Sequence, residues 1–324
     1  MALALCGVLN APALTSPLAA DDYAHRAIVT GAYPVPRSKF EAYSAVKDAG
    51  EVPVLVDAGI LPWWAAADSK GVALRPGGSA LLAADHALGL GAAGQRIHSF
   101  AWLGLALLAF AWLARLLLPR PAATAAVLLF AVSPVHVIPI AWAANRAALV
   151  SMVFALAAIA AHVKWRRDGW APGSAIVVAA GAASLLVSEY GLGTFAFLFA
   201  HELSGDRARK SKIAGGATVL GALAAYLALR LLWGAGVSAS DMYADPLTEP
   251  GRFLEHLTAR WPAMIWHLGA QLPCEASAAL LEARPDPAKW SCALPCSSTR
   301  PTSPTWRGHP RASSSSPRLE SGRP

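Results

Sequence analysis

The chain has 324 residues, of which 55% are hydrophobic and 15% charged, with a formal net charge of +7 and a mean hydropathy of +0.43. A soluble domain carries about 25% charged residues, so sparse charge with apolar residues in long blocks points to a polytopic membrane protein. The basic residues lie in short linkers between apolar runs, and no basic stripe is interleaved with aromatics, which argues against nucleic acid as a partner.

A helix needs about 20 apolar residues to cross the hydrocarbon. In chain order, the candidate segments are residues 1–20, 97–118, 121–138, 147–163, 171–187, 190–200 and 213–233. The pattern predicts an all-α, polytopic transmembrane helix bundle of about seven spans. A long first extracytoplasmic loop, residues 21–96, precedes the core at 97–233. Residues 234–272 read as a further extracytoplasmic loop with room for another helix.

Residues 1–20 end in small residues like a signal peptide, but they lack the basic n-region of one. With Pro12 and Pro17 they read as the second half of a first transmembrane helix. In the first loop, Trp63 and Trp64 suit a membrane interface. "GGSALLAADHALGL", Gly77 to Leu90, has a rough apolar face of Leu81, Leu82, Ala84, Leu88 and Leu90 and predicts a short interfacial helix; an ordinary packed helix is the alternative. The sixth segment is short and reads as tilted, re-entrant or buried by its neighbours.

Charge placement sets the orientation. Arg115 and Arg120, then Lys164, Arg166 and Arg167, then Arg207, Arg209, Lys210 and Lys212 occupy alternate linkers. They therefore share one side, which the positive-inside rule makes the cytoplasm. Asp21, Asp22, the stretch from His136 to Arg146, Glu189, Asp241 and Asp245 fall on the opposite side.

Residues 273–324 change character. They are rich in Ser, Pro and Arg without a helical period, and read as a disordered tail or as a shifted reading frame. Cys292 and Cys296 lie there, with no CxxC pair to suggest zinc, and read as unpaired thiols, with metal ligands or a disulfide as the alternatives.

Ionisable groups beside membrane spans are costly and tend to be functional or paired. Asp21 and Asp22 leave the first segment; adjacent carboxylates suit a divalent metal or a general base, since the like charge raises the pKa of one of them, or else mark the helix exit into water. Arg75 in "LRP" suits a bidentate phosphate contact, or snorkels to head groups; Asp85, His86 and His98 follow it. In "SPVHVIPIAWAANRAALVSMVF", Pro134 and Pro139 break the helix. His136 and Arg146 then flank the entrance to the next span, a cationic setting for an anion or a loop touching lipid phosphates. Glu189, in "SEY", is a lone acid between apolar runs, or a buried acid paired with Arg146 or another cation.

The ordered set of an acidic pair, "LRPGGSALLAADHALGL" with "QRIHSF", "SPVHVIPIAWAANRAALVSMVFALAAI" and "LLVSEYGLGTFAFLFAHEL" resembles the GT-C superfamily of polytopic glycosyltransferases. The likeness is to the protein O-mannosyltransferase-like and TPR-associated members, and it covers roughly residues 21–203. The resemblance implies a hexosyltransferase acting on the extracytoplasmic face, usually with inversion. Its donor would be a polyprenyl-phosphate sugar, and its acceptor a protein or glycan hydroxyl. It implies a catalytic base at Asp22 or Asp21, donor-phosphate contacts from Arg75, His136 and Arg146, and further site positions at His98 and Glu189. It leaves metal dependence open, since this differs within the superfamily; no metal ligand is assigned. Ser188 stands where a Lys often precedes the acid, and Ser133 where a His often precedes the proline. The family has further spans after the seventh, and no TPR repeats follow here, so the chain also reads as a truncated or inactive copy. A flippase or transporter is a third reading, disfavoured because the polar residues collect on one face and no internal repeat is present. The Ala- and Arg-rich composition is read as that of a bacterial inner-membrane protein.

Overall fold

The computed structural model describes residues 1–19, 21–204, 209–239 and 244–270. The chain divides into two compact units, Met1–Arg260 and Trp261–Pro324. Of the second unit, only residues 261–270 are described, as the end of a helix. The tail after 272, with Cys292 and Cys296, lies outside the described residues, as does Asp241.

The first unit is mostly helical. An apolar helix α1 (Ala2–Asn10) runs into a 3-10 turn, Ala11–Thr15, where Pro12 tightens the chain. After α2 (Asp21–Thr30) come β1 (Ser44–Val46), α3 (Val52–Asp57), β2 (Lys70–Val72) and α4 (Pro76–Ala87). The long helix α5 (Ala92–Leu117) follows, then α6 (Arg120–Val132) and α7 (Val137–Ala141), α8 (Arg146–Asp168), α9 (Pro172–Val187), α10 (Leu192–Ser204) and α11 (Arg209–Leu232). β3 (Gly236–Ser238) and α12 (Pro250–Ala270) end the described chain.

Three helical segments are long and apolar enough to cross a membrane: Ala92–Leu117, Ala143–Asp168 and Gly215–Leu232. Arg120–Val132 and Pro134–Ala141 form a pair bent by 47°, and counting it as one broken span gives four. About seven spans are not shown. The reasons lie in the breakers. Pro12 and Pro17 confine the first apolar helix to Ala2–Thr15. The 16 residues of α9 extend about 24 Å, short of the roughly 30 Å hydrocarbon thickness. α10, at 13 residues, is shorter still.

Side chains tie the helix ends together. At one end, Arg167 donates to the Leu116 carbonyl (2.8 Å) and Trp112 meets Trp170 edge-on, fixing the close of α5 beside the close of α8. Gly169 at φ 65° ends α8 in the left-handed conformation that lets the chain reverse into α9. α8 is the most enclosed of the long helices, and it packs on α5 and α9. Ala158, Ala160 and Ala161 are fully buried, so backbones approach closely. Ser151 and Ser184 lock α8 to α9: each hydroxyl bonds the other residue's carbonyl, at 3.0 and 2.9 Å. Leu103, Ala106, Leu107, Ala131, Ile140 and Leu149 form the apolar centre between α5, α6, α7 and α8.

At the other end, the first loop folds into a small cap. It has its own core of Ile28, Tyr33, Val35, Val46, Val52 and Leu55. The three short strands make an antiparallel sheet in the order β1-β2-β3, an addition to the all-α expectation. β3 follows α11, so this sheet joins the first loop to the chain that leaves the last long helix. The interfacial helix expected at Gly77–Leu90 is α4, and it packs against protein on one side. Leu81 and Leu82 join neighbouring cores, while Leu88 is exposed. Its glycines explain the fit. A Cβ on Gly78 would sit 3.0 Å from the Val187 carbonyl and 3.1 Å from the Tyr43 ring. The Trp63–Trp64 pair is exposed and edge-to-face at 5.4 Å.

Gly78→Val should therefore force α4 away from α9. The expected cost is about 1–3 kcal/mol of overpacking, seen as a lowered Tm of the detergent-purified protein. Gly193→Ala on α10 serves as the control: a Cβ there meets nothing within 4 Å, and Tm should stay nearly unchanged.

Candidate functional site

The helix ends on the cap side converge on a set of buried ionised groups. Asp85, on α4, is 1% exposed and forms an ion pair with Arg146, equally buried at the start of α8. His98 on α5 completes the group. Its Nδ1 lies 2.6 Å from Asp85 Oδ1, and its Nε2 accepts a hydrogen bond from Trp102 Nε1 at 2.9 Å. The same Nδ1 stands 3.1 Å from Arg146 Nη1, so His98 touches both members of the ion pair. Arg146 also donates to the Gln95 carbonyl at 3.2 Å.

Asp22, on α2, lies beside this group and is 5% exposed. Its Oδ1 accepts from the Ala144 backbone N–H at 2.7 Å, and its Oδ2 from the Ala19 N–H at 3.2 Å. Ala144 belongs to the 3-10 turn Ala143–Asn145 that opens into α8, so a carboxylate meets the positive end of that helix. Arg96 on α5 is completely buried, 3.5 Å from Asp22 Oδ2 and 2.8 Å from the Pro17 carbonyl. Its Nε and Nη1 have no hydrogen-bond partner among the described residues.

Tyr43 links the parts. Its hydroxyl donates to the Ala144 carbonyl at 2.8 Å, Arg75 lies over its ring at 5.0 Å, and His25 sits against it at 4.5 Å. Burial pushes the Tyr43 phenol up to about 12. Arg75 in turn pairs with Glu189 at 2.6 Å, joining the start of α4 to the turn between α9 and α10.

A cavity of about 240 Å³ opens beside Asp22. Asp22, His25, Arg26, His86 and Gln95 give it a polar wall; Leu18, Val29, Leu82 and Leu90 give it an apolar one. Two groups in and beside it have perturbed acidity. Desolvation, and then the adjoining Asp22 charge, hold the Asp21 carboxyl above its usual range. Desolvation lowers His25 to about 4, against the attraction of Asp22 and with the repulsion of Arg75. His25 is thus a neutral ring at pH 7, and its Nδ1 has no partner among the described residues.

The predicted site residues fall into two groups. Asp21, Asp22, Arg75, His98, Arg146 and Glu189 all lie at the cap end of the bundle. His136 does not join them: its Nε2 bonds the Phe130 carbonyl at 2.7 Å and its ring packs on Phe130 at 4.7 Å, closing the break between α6 and α7. Pro134 has no N–H to give the Phe130 carbonyl its i+4 donor, so Ser133 N–H at 3.3 Å and the His136 ring take that place. Arg75 and Arg146 are not free cations awaiting a phosphate, because Glu189 and Asp85 hold them. Glu189 is paired, but by Arg75 and not by Arg146. Arg96, His25 and Tyr43 are additions that sequence reasoning does not reach. Arg96 borders a predicted span, where an arginine passes for an interfacial one; the only signal is its position just before a long apolar run.

Comparisons with protein-family models, with curated proteins and with solved structures give no match.

Removing one partner of the buried ion pair should be costly. Asp85→Asn strands the Arg146 charge and should cost about 3–5 kcal/mol, while the double replacement Asp85→Leu/Arg146→Met should recover most of that loss; thermal melts of the three proteins measure it. For His25, the unfolded state binds a proton near pH 6.5 and the folded state only near 4. Its contribution is intact above pH 6.5 and is lost as pH falls from 6.5 to 4, by up to ~3 kcal/mol. His25→Phe should flatten the fall in Tm across that window.

Proposed function

We propose that the chain is an integral-membrane glycosyltransferase that moves a hexosyl group from a polyprenyl-phosphate donor to an acceptor hydroxyl on the extracytoplasmic face. The observation that carries the reading is the cavity at the cap end. Asp22 lines it, next in the chain to Asp21, and 3.5 Å from Asp22 lies the fully buried Arg96 with two nitrogens unpartnered among the described residues. The resemblance in the ordered motifs, and helices able to cross a membrane, support it.

Asp22 or Asp21 takes the proton from the acceptor O–H, and the oxygen attacks the sugar's anomeric carbon. The bond from that carbon to the phosphate oxygen breaks, and the polyprenyl phosphate leaves with the electron pair. Desolvation and the adjoining Asp22 charge raise the Asp21 carboxyl, which makes it a stronger base than an ordinary aspartate, while Asp22 is better fixed in place. Negative charge grows on the leaving phosphate, and cations must stand near it. With Arg75 and Arg146 held in ion pairs, Arg26 on the cavity wall takes that role, and Arg96, though paired with Asp22, adds two nitrogens without a partner among the described residues; His86 stands on the same wall as a further hydrogen-bonding group. The paired residues Arg75, Glu189, Asp85, Arg146 and His98 act as the frame that positions them. The apolar wall suits the first units of the lipid, whose tail continues among the membrane lipids. In this reading the shorter apolar helices complete a path of about seven membrane segments, and the membrane is a bacterial inner membrane.

A second reading has one observation in its favour. Asp22 already serves as an acceptor for two backbone N–H groups, which is what a purely structural cap would do. In that case the chain is an inactive membrane scaffold. Asp22→Asn separates the two, because the amide oxygen still accepts from Ala144 while the base is gone. Transfer per folded protein from lipid-linked hexoses should fall by ~10²-fold or more in the variant, with Tm lowered because the buried Arg96 loses its carboxylate partner. Transfer by the variant equal to that of the parent would remove Asp22 from the mechanism and leave Asp21 as the base, whereas no transfer by either with any polyprenyl-phosphate hexose would favour the scaffold.

A further inference from the structure

The opposite end of the bundle holds a second constellation, at helix ends remote from the cap. His162 on α8 and His201 and Glu202 on α10 each offer one ligand atom, and these atoms all lie within 4.8 Å of one another. Glu202 is completely buried and His162 is 4% exposed. We propose that these three side chains bind a divalent transition-metal ion of the zinc class, with water in the fourth position.

Four features favour an ion over a simple polar cluster. Two imidazoles and one carboxylate make a donor set common in zinc sites that keep an open position. His162 Nε2 and Glu202 Oε1 converge to 2.9 Å in the protein interior, about as close as two ligands of one ion stand. Glu202 Oε2 is meanwhile held by Arg166 Nη2 at 2.7 Å, the kind of outer partner that orients a ligating carboxylate. Finally, the space around the carboxylate is kept by a glycine. A Cβ on Gly215 of α11 would collide with the Glu202 side chain, so a larger residue there would displace the ligand.

Ligand atoms sharing a tetrahedral zinc at about 2.0–2.1 Å lie about 3.3 Å apart. The His162–Glu202 pair is already inside that distance. His201, which is half-buried and set near His162 with ring centroids 5.1 Å apart, closes the remainder by rotating its side chain. The ion would tie α8 to α10 beside the basic linker of Lys164, Arg166 and Arg167. By the charge rule this places it at the cytoplasmic end, away from the cap cavity, so it stands independently of the sugar-transfer reading.

The test uses the full chain in detergent, with an affinity tag free of histidine and with Cys274, Cys292 and Cys296 replaced by serine to remove competing thiols. After chelator treatment, it is titrated with Zn²⁺ by calorimetry and with Co²⁺ by visible absorption. One ion per chain is expected, with cobalt bands of a low-coordinate site and a Tm that rises with metal. His162→Gln and His201→Gln should each weaken binding by ~10-fold or more, and the double variant should lose the cobalt bands while its metal-free Tm matches that of the parent. Absence of saturable uptake by the parent, or uptake unchanged in the double variant, would overturn the proposal and leave Glu202 as the buried partner of Arg166.

Discussion

The Asp85–Arg146 ion pair shows the constraint under which the cap end of this protein is built. Both groups are removed from water, where an unpaired charge costs several kcal/mol. Asp85 can reach Arg146 only if α4 lies against the entrance of α8, and α4 can lie there only because Gly77 and Gly78 carry no side chain against the end of α9. His98 then ties α5 to the same carboxylate. One buried pair thus sets the mutual positions of four helices. Arg75–Glu189 and Arg96–Asp22 repeat the device on either side. The cavity is what remains between these fixed points.

The same constraint explains why the two ends differ. A low-charge chain places its ionised groups where helices begin or finish, since mid-span charges are expensive. On the cap side, acids and arginines neutralise one another in pairs. On the other side, Arg166 and Arg167 accompany Glu202 and Asp168, and two histidines add donor atoms next to the buried carboxylate. The first arrangement leaves a polar pocket; the second gathers two imidazoles beside a buried carboxylate.

Much of the architecture is legible in the sequence because membrane helices announce themselves by length and composition. α5, α8 and the apolar part of α11 coincide with predicted segments, and the alternating basic linkers anticipate that the close of α5 meets the close of α8. Span number is less legible. A sequence window counts apolar residues, but Pro12, Pro134 and Ser188 interrupt the backbone, and only the folded chain shows whether the pieces continue as one rod. The three short strands are hidden too, since Ser44–Val46 and Lys70–Val72 pair over only a few residues and β3 comes from a distant part of the chain. At the site, the acids and arginines can be named, but not their partners. Glu189 meets Arg75 across a long stretch of chain, which no spacing rule reveals. His136 has the sequence setting of a phosphate ligand, and only the fold shows its carbonyl acceptor. Tyr43 carries no signal at all in "EAYSAV".

The central claim is that the cap-end cavity receives a lipid phosphate. The most direct measurement is a binding titration of a polyprenyl phosphate, without sugar, against the purified chain in nanodiscs, followed by tryptophan fluorescence and compared with Arg96→Gln. Saturable binding at one site per chain is expected, weakened in the variant because a buried guanidinium with nitrogens unpartnered among the described residues has been removed. Saturable binding that ignores the Arg96 change, or fluorescence that follows bulk lipid content without saturating, would contradict it.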